Sequence, residues 1–310
     1  MSTLAEAYGV WITTRSLVKP STLVANKSHW HNHIEPVLGS RDLTSLTRAD
    51  IVLFTANCAA SLSPRSTRNI LTTLSVILDF AVDAGYIPAN PAAGTKRPKV
   101  AKMRPDNVLS PAQVDEMAHR HGEGGNVTQF LAWTGLRWGE MAGLQVSDYR
   151  PNPFPALRVA RTLSRIPGQP PTLGPTKTHA VRTVPVPTPA LPALHQALSG
   201  KLPGEPIFTS PNGSLLHESN WRRSVRWNDV LEEMHLVGFK PHDLRHTAAS
   251  YWIACGADIK EVQHVMGHAS AQMTLDVYGH LLDQGLGRAA QRMNTWAASS
   301  ARRDEGIYPQ

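Results

Sequence analysis

A proline-containing basic segment divides this chain into two parts and limits how it can fold. Five of its charged residues are basic, namely Lys96, Arg97, Lys99, Lys102 and Arg104. Pro98 and Pro105 interrupt it, so the segment cannot bury enough apolar surface to fold by itself. Because a chain of 310 residues has room for about two domains, the sequence predicts domains over residues 1–92 and 108–298 with a linker over 93–107.

The first part has the periodicity of helices throughout. Ser63 followed by Pro64 is a helix cap with proline at the first helical position. Apolar residues then recur at helical spacing until Gly85, namely Ile70, Leu71, Leu74, Ile77, Leu78 and Ala81. Three earlier helical stretches begin near Leu4, Ser21 and Leu46. The pattern predicts a four-helix domain.

The second part mixes helices with short strands. Ser110 and Pro111 repeat the cap-and-proline signal, and helical segments continue to about Leu144. Strand signals follow over residues 157–163 and 181–186, separated by a turn at 167–168, and helices return after residue 187. We therefore expect a mainly α chain with a small antiparallel β-sheet in a mixed α/β second domain. Residues 299–310 are predicted to be a disordered tail.

Composition and charge limit the classes of function that this chain can have. The net charge of +7 and a pI near 9.6 favour a polyanionic partner. There is no uninterrupted apolar run of about 18 residues and no secretory signal at the N-terminus. Cys58 and Cys255 are far apart and lack the spacing of metal ligands. These features predict a cytoplasmic protein with reduced thiols.

Six polar residues of the second part are poor choices for core positions, but together they suit phosphoryl transfer through a tyrosine. They are Arg137, Lys177, His242, Arg245, His268 and Tyr278. Arginines neutralise the charge of a phosphoryl transition state, lysine and histidine move protons, and a phenol can act as the nucleophile. Glu140 follows Arg137 by three residues and is placed to orient it.

The sequence around these residues is distinctive. It reads Thr134-Gly135-Leu136-Arg137-Trp138-Gly139-Glu140, then Pro241-His242-Asp243-Leu244-Arg245-His246-Thr247, then Met266-Gly267-His268 and finally Val277-Tyr278-Gly279-His280. In order and spacing, these motifs resemble the tyrosine recombinase (phage integrase) family across essentially the whole chain. Met266 departs from the family, which more often has leucine there. Lys177 is identified from its place in a predicted turn between the two strands, which reads Gly174-Pro175-Thr176-Lys177-Thr178.

The resemblance implies a reaction. Tyr278 would form a 3′-phosphotyrosyl bond with DNA, and Arg137 and Arg245 would hold the phosphate oxygens with help from His268. His242 would assist proton transfer at the tyrosine, and Lys177 would protonate the leaving oxygen. No metal, ATP or other cofactor is expected. Strand exchange would pass through a Holliday junction in a homotetramer that is joined by the C-terminal helix, with a possible excision or DNA-bending factor as a further partner.

Several alternatives remain open at this point. The basic residues expected to contact DNA are Arg65, Arg68, Lys96, Arg97, Lys99, Lys102, Arg104, Arg222, Arg223 and Arg226. Arg65 and Arg68 can equally be solvated surface charges, whereas the position of the linker residues between two DNA-binding parts favours contact with phosphates. His264 and His268, four residues apart, admit a rival metal site. The resemblance implies that residues 1–92 are a core-site DNA-binding domain and that residues 108–298 are the catalytic domain. The short N-terminus predicts an integrase without an arm-binding domain, either naturally short or truncated. Rival functions are a chromosome-dimer resolvase of the Xer type, a relaxing topoisomerase and a catalytically silent DNA-binding protein.

Overall fold

The structure is a computed structural model that describes residues 2–99, 107–165, 169–176, 180–283 and 286–304. It confirms the expected fold class, because the chain forms two compact units of which the first is helical and the second combines helices with small antiparallel sheets. Each unit has its own cluster of buried apolar side chains. In the described part of the chain, no helix is long and apolar enough to cross a membrane.

The first unit consists of helices with polar caps. Its α-helices are α1 (Leu4–Thr13), α2 (Pro20–His29), α3 (Glu35–Leu38), α4 (Arg48–Ser61) and α5 (Pro64–Asp83), with a π-helical turn (Trp30–Ile34) between α2 and α3. Thr47 caps α4 together with Asp50, and Ser63 caps α5 as its sequence predicts. The apolar stripe of α5 is buried. In the same core the ring of Tyr8 stacks on Trp30 with ring centroids 4.0 Å apart.

The second unit contains most of the remaining chain. Its helices are α6 (Pro111–Arg120), α7 (Gly125–Thr134), α8 (Trp138–Ala142), α9 (Leu191–Leu198), α10 (Glu218–Ser224), α11 (Trp227–Glu233), α12 (Asp243–Ala254), α13 (Ile259–Met266), α14 (Ala271–Asp283) and α15 (Leu286–Asp304). Ser110 caps α6 in a capping box with Gln113, and Asp258 caps α13 in a capping box with Glu261. Both caps are visible in the sequence.

Among the described residues of the second unit, five short strands form two sheets. They are β1 (Tyr149–Arg150), β2 (Ala156–Val159), β3 (Arg161–Ser164), β4 (Thr172–Pro175) and β5 (Arg182–Pro185). The order β1-β2-β5 makes one antiparallel sheet, in which Leu157 lies opposite both Tyr149 and Val184. β3 pairs with β4 in a separate hairpin, with Leu163 opposite Leu173.

Three details of the sequence interpretation differ from the structure. The single strand expected over 157–163 is two strands in different sheets, because the chain leaves the first sheet at Ala160. Gly174 and Pro175, expected in a turn, belong to β4. At the other end, α15 continues to Asp304, into the segment for which the sequence predicts disorder. The turn predicted at residues 167–168 lies outside the described residues.

Candidate active site

Arg137 stands between two helices of the second unit. Gly135 ends α7 in the left-handed conformation, with φ of 68°, and a Cβ at this position would collide with Met266. Arg137 then precedes α8, and its backbone N–H donates to Glu140 Oε2 at 3.0 Å. The guanidinium donates to Glu140 Oε1 at 2.8 Å and to the carbonyl of Gly267 at 3.0 Å. Glu140 therefore orients Arg137, as the spacing suggests.

A second arginine, absent from the sequence interpretation, binds the same carboxylate. Arg182 begins β5 and donates to Glu140 through both terminal nitrogens, at 3.0 Å and 2.8 Å. Both partners are buried, with side-chain exposures of 5% and 2%. Burial by itself would raise the pKa of Glu140, but the hydrogen bonds and charge of Arg182, together with Arg137, outweigh it and hold that pKa at about 2. Glu140 is thus a carboxylate shared by two arginines.

Three arginines converge on consecutive carbonyl groups at the C-terminal end of α13. Arg182 Nε donates to Val265, Arg245 Nη2 to Met266 and Arg137 Nη2 to Gly267. The last carbonyls of a helix have no partner within the helix, and they carry the negative end of its dipole. The end of α13 therefore holds these three positive charges in place, so not every arginine needs a carboxylate partner of its own.

Arg245 is the most deeply placed of the site arginines. It lies in the first turn of α12, it is 3% exposed, and its Nη1 donates to the carbonyl of Gly135 at 2.5 Å. Burial, followed by the charge of Arg137, lowers its pKa. A guanidinium nevertheless keeps its proton in proteins, so the site holds a dense cluster of permanent positive charge.

The phenol of Tyr278 lies next to this cluster. Tyr278 is on α14 and is 1% exposed, and its hydroxyl makes a hydrogen bond of 2.6 Å with Nδ1 of His246. Burial raises the pKa of Tyr278 to about 12, although the charge of Arg245 acts in the opposite direction. The phenol is therefore neutral at physiological pH, and it would need an acceptor for its proton to act as a nucleophile.

Two predicted histidines flank the phenol and His246. His268 follows the left-handed Gly267 at the end of α13, and its Nδ1 is 2.9 Å from the hydroxyl of Thr274. Its ring is parallel to that of Tyr278, with centroids 6.5 Å apart. His242 lies at the N-terminus of α12 with its ring edge against His246, centroids 5.2 Å apart. Desolvation, then the charge of Arg245, lowers the pKa of His242 and of His268, so both rings are neutral near pH 7.

The structure thus brings together five of the six predicted catalytic residues, whereas Lys177 lies outside the described residues. Arg182 and His246 are the site residues that the sequence interpretation missed. Signals for both were present. Arg182 shares the period-2 face of its strand with Val184, which indicated burial, and His246 follows His242 by one helical turn.

The rival metal site receives no support from the histidine contacts. His264 Nε2 is 3.0 Å from the carbonyl of Thr183, whereas His268 contacts Thr274, so the two rings have separate partners. Within the described ranges, no group of three histidine, cysteine or carboxylate residues is placed to hold a metal ion.

The predicted DNA-contacting residues lie mainly at the surface. Arg65, Arg68, Lys96, Arg97 and Lys99 are exposed in the first unit, whereas Lys102 and Arg104 fall outside the described residues. In the second unit, Arg223 is exposed, Arg222 is half-buried and donates to Asn228, and Arg226 pairs with Asp229 and Glu233.

Sequence relatives of this chain are recombinases and integrases. Residues 108–284 match the family model described as the phage integrase family. The tyrosine recombinase XerC of Shewanella amazonensis is 29% identical over 281 residues, covering 87% of this chain and 88% of that protein. The integrase of Mycobacterium phage L5 is 27% identical over 281 residues, covering 88% of this chain and 74% of the phage protein.

Solved structures share the two-domain fold. The Tn1549 transposon integrase in complex with a circular intermediate DNA superposes with a TM-score of 0.76 at 21% identity, covering 89% of this chain and 94% of that chain. A lambda integrase tetramer bound to a Holliday junction gives a TM-score of 0.68 at 20% identity, covering 87% and 79%.

The fold and the family match define the class of protein as a tyrosine recombinase, a DNA strand-cleaving and rejoining enzyme. Within that class the chain belongs to the phage integrase family, as its motifs indicate. The family, fold class and enzyme class expected from the sequence are confirmed.

Proposed function

We propose that this protein cleaves and rejoins double-stranded DNA at specific sites, with Tyr278 as the nucleophile and the arginine cluster as the phosphate-binding site. The single observation that carries the proposal is a buried tyrosine hydroxyl beside guanidinium groups that are fixed on the end of α13. Because Tyr278 is covered in this structure, its hydroxyl must be uncovered when DNA binds.

The arginine side of the site supplies electrostatic stabilisation. Arg137 and Arg245 would hold the non-bridging oxygens of the scissile phosphate, and His268 would add a hydrogen bond. Arg137 keeps 27% of its side chain exposed, so part of its guanidinium is accessible to a ligand. Donors that are fixed before the substrate arrives lower the barrier most, because they need no reorganisation during the reaction. This charge takes the place of the metal ions that many phosphoryl-transfer enzymes use.

The nucleophilic step is a transesterification. The oxygen of Tyr278 forms a bond to phosphorus, the bond from phosphorus to the 5′-oxygen breaks, and a 3′-phosphotyrosyl DNA remains. Lys177 would protonate the departing 5′-oxygen, and His242 would assist removal of the phenol proton. The covalent bond conserves the energy of the phosphodiester, so rejoining by another 5′-hydroxyl requires no ATP.

Two sequential exchanges would pass through a Holliday junction in a homotetramer. α15 supports this assembly, since Met293 and Trp296 are 71% and 69% exposed on one helix. Exposed apolar side chains of this size favour a protein interface, and the lambda integrase of similar fold was solved as a tetramer on a Holliday junction. We propose that α15 docks on a neighbouring copy. Arg65, Arg68 and the exposed basic residues over 96–99 would contact phosphates.

The relatives of this chain are of two kinds, and each kind suggests a different biological role. A phage or mobile-element integrase acting on attachment core sites in the bacterial cytoplasm agrees with the phage L5 integrase. A resolvase of the Xer type agrees with the XerC relative, which this chain covers over 88% of its length. Resolvases usually act as two related chains. Recombination of two attachment sites by this chain alone favours the integrase, and a requirement for a second recombinase favours the resolvase.

Covalent trapping in EDTA tests the chemistry. The protein would be incubated with nicked duplexes carrying candidate core sites, and denaturing gels would show any protein–DNA adduct. We expect an adduct that leaves a 5′-hydroxyl and is abolished in Tyr278→Phe. Tyr251→Phe is the matched control, because Tyr251 is a half-buried tyrosine whose hydroxyl donates to the carbonyl of Leu109. Tight, site-specific DNA binding without an adduct would contradict the proposal.

A further inference from the structure

His246 is the residue in direct contact with the nucleophile. Its Nδ1 lies 2.6 Å from the Tyr278 hydroxyl, and the residue is 6% exposed. We propose that His246 is the immediate acceptor of the phenol proton when Tyr278 attacks DNA, and that it returns this proton when the tyrosine leaves. This inference rests on the proposed function and assigns a role to a residue outside the predicted catalytic set.

The hydrogen-bond partners of the two groups show which of them is the donor in this contact. Among the described residues, the Tyr278 hydroxyl has this one hydrogen bond, and the buried Nε2 of His246 has none. If the hydroxyl donates to Nδ1, only the hydrogen on Nε2 lacks a partner. If Nδ1 donates instead, both the phenol hydrogen and the Nε2 lone pair lack partners. Since each unsatisfied buried group costs about 1–3 kcal/mol, the phenol is the donor and Nδ1 is the acceptor.

Burial leaves His246 as the acceptor in contact with the phenol. Tyr278 is 1% exposed, so in this structure its hydroxyl meets Nδ1 of His246 and not bulk water. Burial lowers the pKa of His246, the charge of Arg245 lowers it further, and the charge of Asp243 opposes them. The imidazole is therefore neutral at physiological pH, and its Nδ1 lone pair accepts the phenol hydrogen. Its ring also contacts the ring of His242, and the ring of His268 lies against that of the phenol.

The step balances without a further reactant. As the oxygen of Tyr278 bonds to phosphorus, its O–H bond breaks and the proton moves to Nδ1, which gives a cationic imidazolium. The electron pair of the phosphorus–oxygen bond leaves with the 5′-oxygen, which takes a proton from a different group. In the reverse step, the 5′-hydroxyl gives its proton back to that group and bonds to phosphorus. The bond from phosphorus to the tyrosine oxygen then breaks, and the imidazolium returns its proton to the departing phenol. The charge of the imidazolium is delocalised over a ring that lies nearly at right angles to the ring of His242, the more exposed of the two histidines.

Two substitutions separate proton acceptance from simple positioning. In His246→Asn the side-chain amide oxygen takes the place of Nδ1, so the phenol keeps a hydrogen-bond acceptor that has almost no basicity. In His246→Phe the ring shape remains and the acceptor is lost. His119→Asn is the matched control, because His119 is an exposed histidine on α6, away from the site residues. Thermal unfolding and DNA binding would be measured for all three variants.

The decisive readout is the single-turnover rate of adduct formation against pH on a nicked duplex. A general base contributes about 10²–10⁴-fold, so we expect His246→Asn and His246→Phe to be slower than the unchanged protein by at least roughly 100-fold near pH 7. Their rates should rise with pH, because hydroxide replaces the lost base. A substrate with sulfur at the 5′-bridging position, whose leaving group needs no proton, should not restore either variant.

Three results would overturn the inference. A His246→Asn rate equal to that of the unchanged protein would reduce His246 to a positioning residue. Rescue by the sulfur-bridged substrate would place His246 on the leaving-group side. A slow variant with an unchanged pH profile and weakened folding would make its role structural. Failure of the unchanged protein to form any adduct would instead count against the proposed function itself.

Discussion

The two sides of the active site are held in different ways. On the arginine side, Arg137, Arg182 and Arg245 each donate to backbone carbonyls, and Glu140 binds two of them. On the tyrosine side, His246 and Tyr278 share one hydrogen bond, and His268 makes one with the side chain of Thr274. Positive charge is therefore fixed by several bonds to the main chain, whereas the proposed nucleophile and its neighbours depend, among the described residues, on single contacts between side chains.

This difference suits the order of events in strand exchange. The phosphate must meet a rigid, positively charged site, because electrostatic stabilisation is most effective when the donors do not move. In the proposed reaction, the phenol must be uncovered, attack, remain attached to DNA and be released. Single side-chain contacts can be broken and remade at each of these stages, since one hydrogen bond contributes only about 0.5–1.5 kcal/mol net.

Removal of Arg182 should have the largest effect on the arginine side. Arg182→Met would leave the buried Glu140 with one partner, and breaking a buried ion pair in this way typically costs about 3–5 kcal/mol. We expect a large loss of unfolding free energy, measured by urea denaturation, and weaker orientation of Arg137. Arg120→Met is the control, because its pairs with Glu116 and Glu233 are exposed and such pairs contribute roughly 0–1 kcal/mol. Equal losses in the two variants would contradict the account.

Acid should weaken the same network. Glu140 has its pKa depressed from 4.5 to about 2, so its contribution to stability is fully present above pH 4.5 and is lost as the pH falls through about 2. By linkage, about 2 kcal/mol would be lost by roughly pH 3. Unfolding free energy measured at each pH should therefore fall less steeply over this window in Glu140→Gln. Identical slopes for the two proteins would show that Glu140 is not the group that titrates.

Substitution of Gly267 should disturb the arginine side by a smaller amount. Gly267 has φ of 59°, and a Cβ there would lie 2.7 Å from the guanidinium carbon of Arg182. Gly267→Ala therefore combines backbone strain with displacement of Arg182, and strain of this kind costs about 1–3 kcal/mol. Gly204→Ala is the control, since nothing lies within 4 Å of its added Cβ. Unfolding free energies that are equal in both variants would contradict the crowding at Gly267.

The smallest effect is expected on the tyrosine side. Thr274→Val keeps the shape of a fully buried side chain but removes the hydroxyl that contacts His268 Nδ1. Loss of one hydrogen bond of about 1 kcal/mol would slow adduct formation by roughly fivefold, with little change in DNA affinity. An effect as large as that of Arg182→Met would show that the tyrosine side is as firmly fixed as the arginine side.

The sequence predicts the parts of this site that follow local rules. The cap at Ser110, the capping box of Asp258 and the glycine stop at Gly135 are all found where residue type and spacing place them. Arg137 with Glu140, and His242 with Arg245, are also recognisable as motifs. Such features depend on neighbours within a few residues along the chain.

The rest of the site depends on contacts between segments that are distant in the sequence. Arg182 is 42 residues from Glu140, and His246 is 32 residues from Tyr278. The alternation of inward-facing and outward-facing residues along β5 indicated that Arg182 faces inward. The pattern did not show which carboxylate Arg182 meets. Likewise, the spacing of His242 and His246 put them on one face of α12 without showing which ring reaches the phenol. The break between β2 and β3 arises because the two strands pair in separate sheets, which sequence periodicity does not register.

The central claim is that Tyr278 is the residue that joins DNA covalently. Mass spectrometry of the trapped adduct after protease and nuclease digestion tests it most directly, because it identifies the modified peptide. The account predicts a nucleotide linked through its 3′-phosphate to Tyr278 in the peptide containing Val277-Tyr278-Gly279. A nucleotide on another tyrosine such as Tyr251, or on a serine, would contradict it.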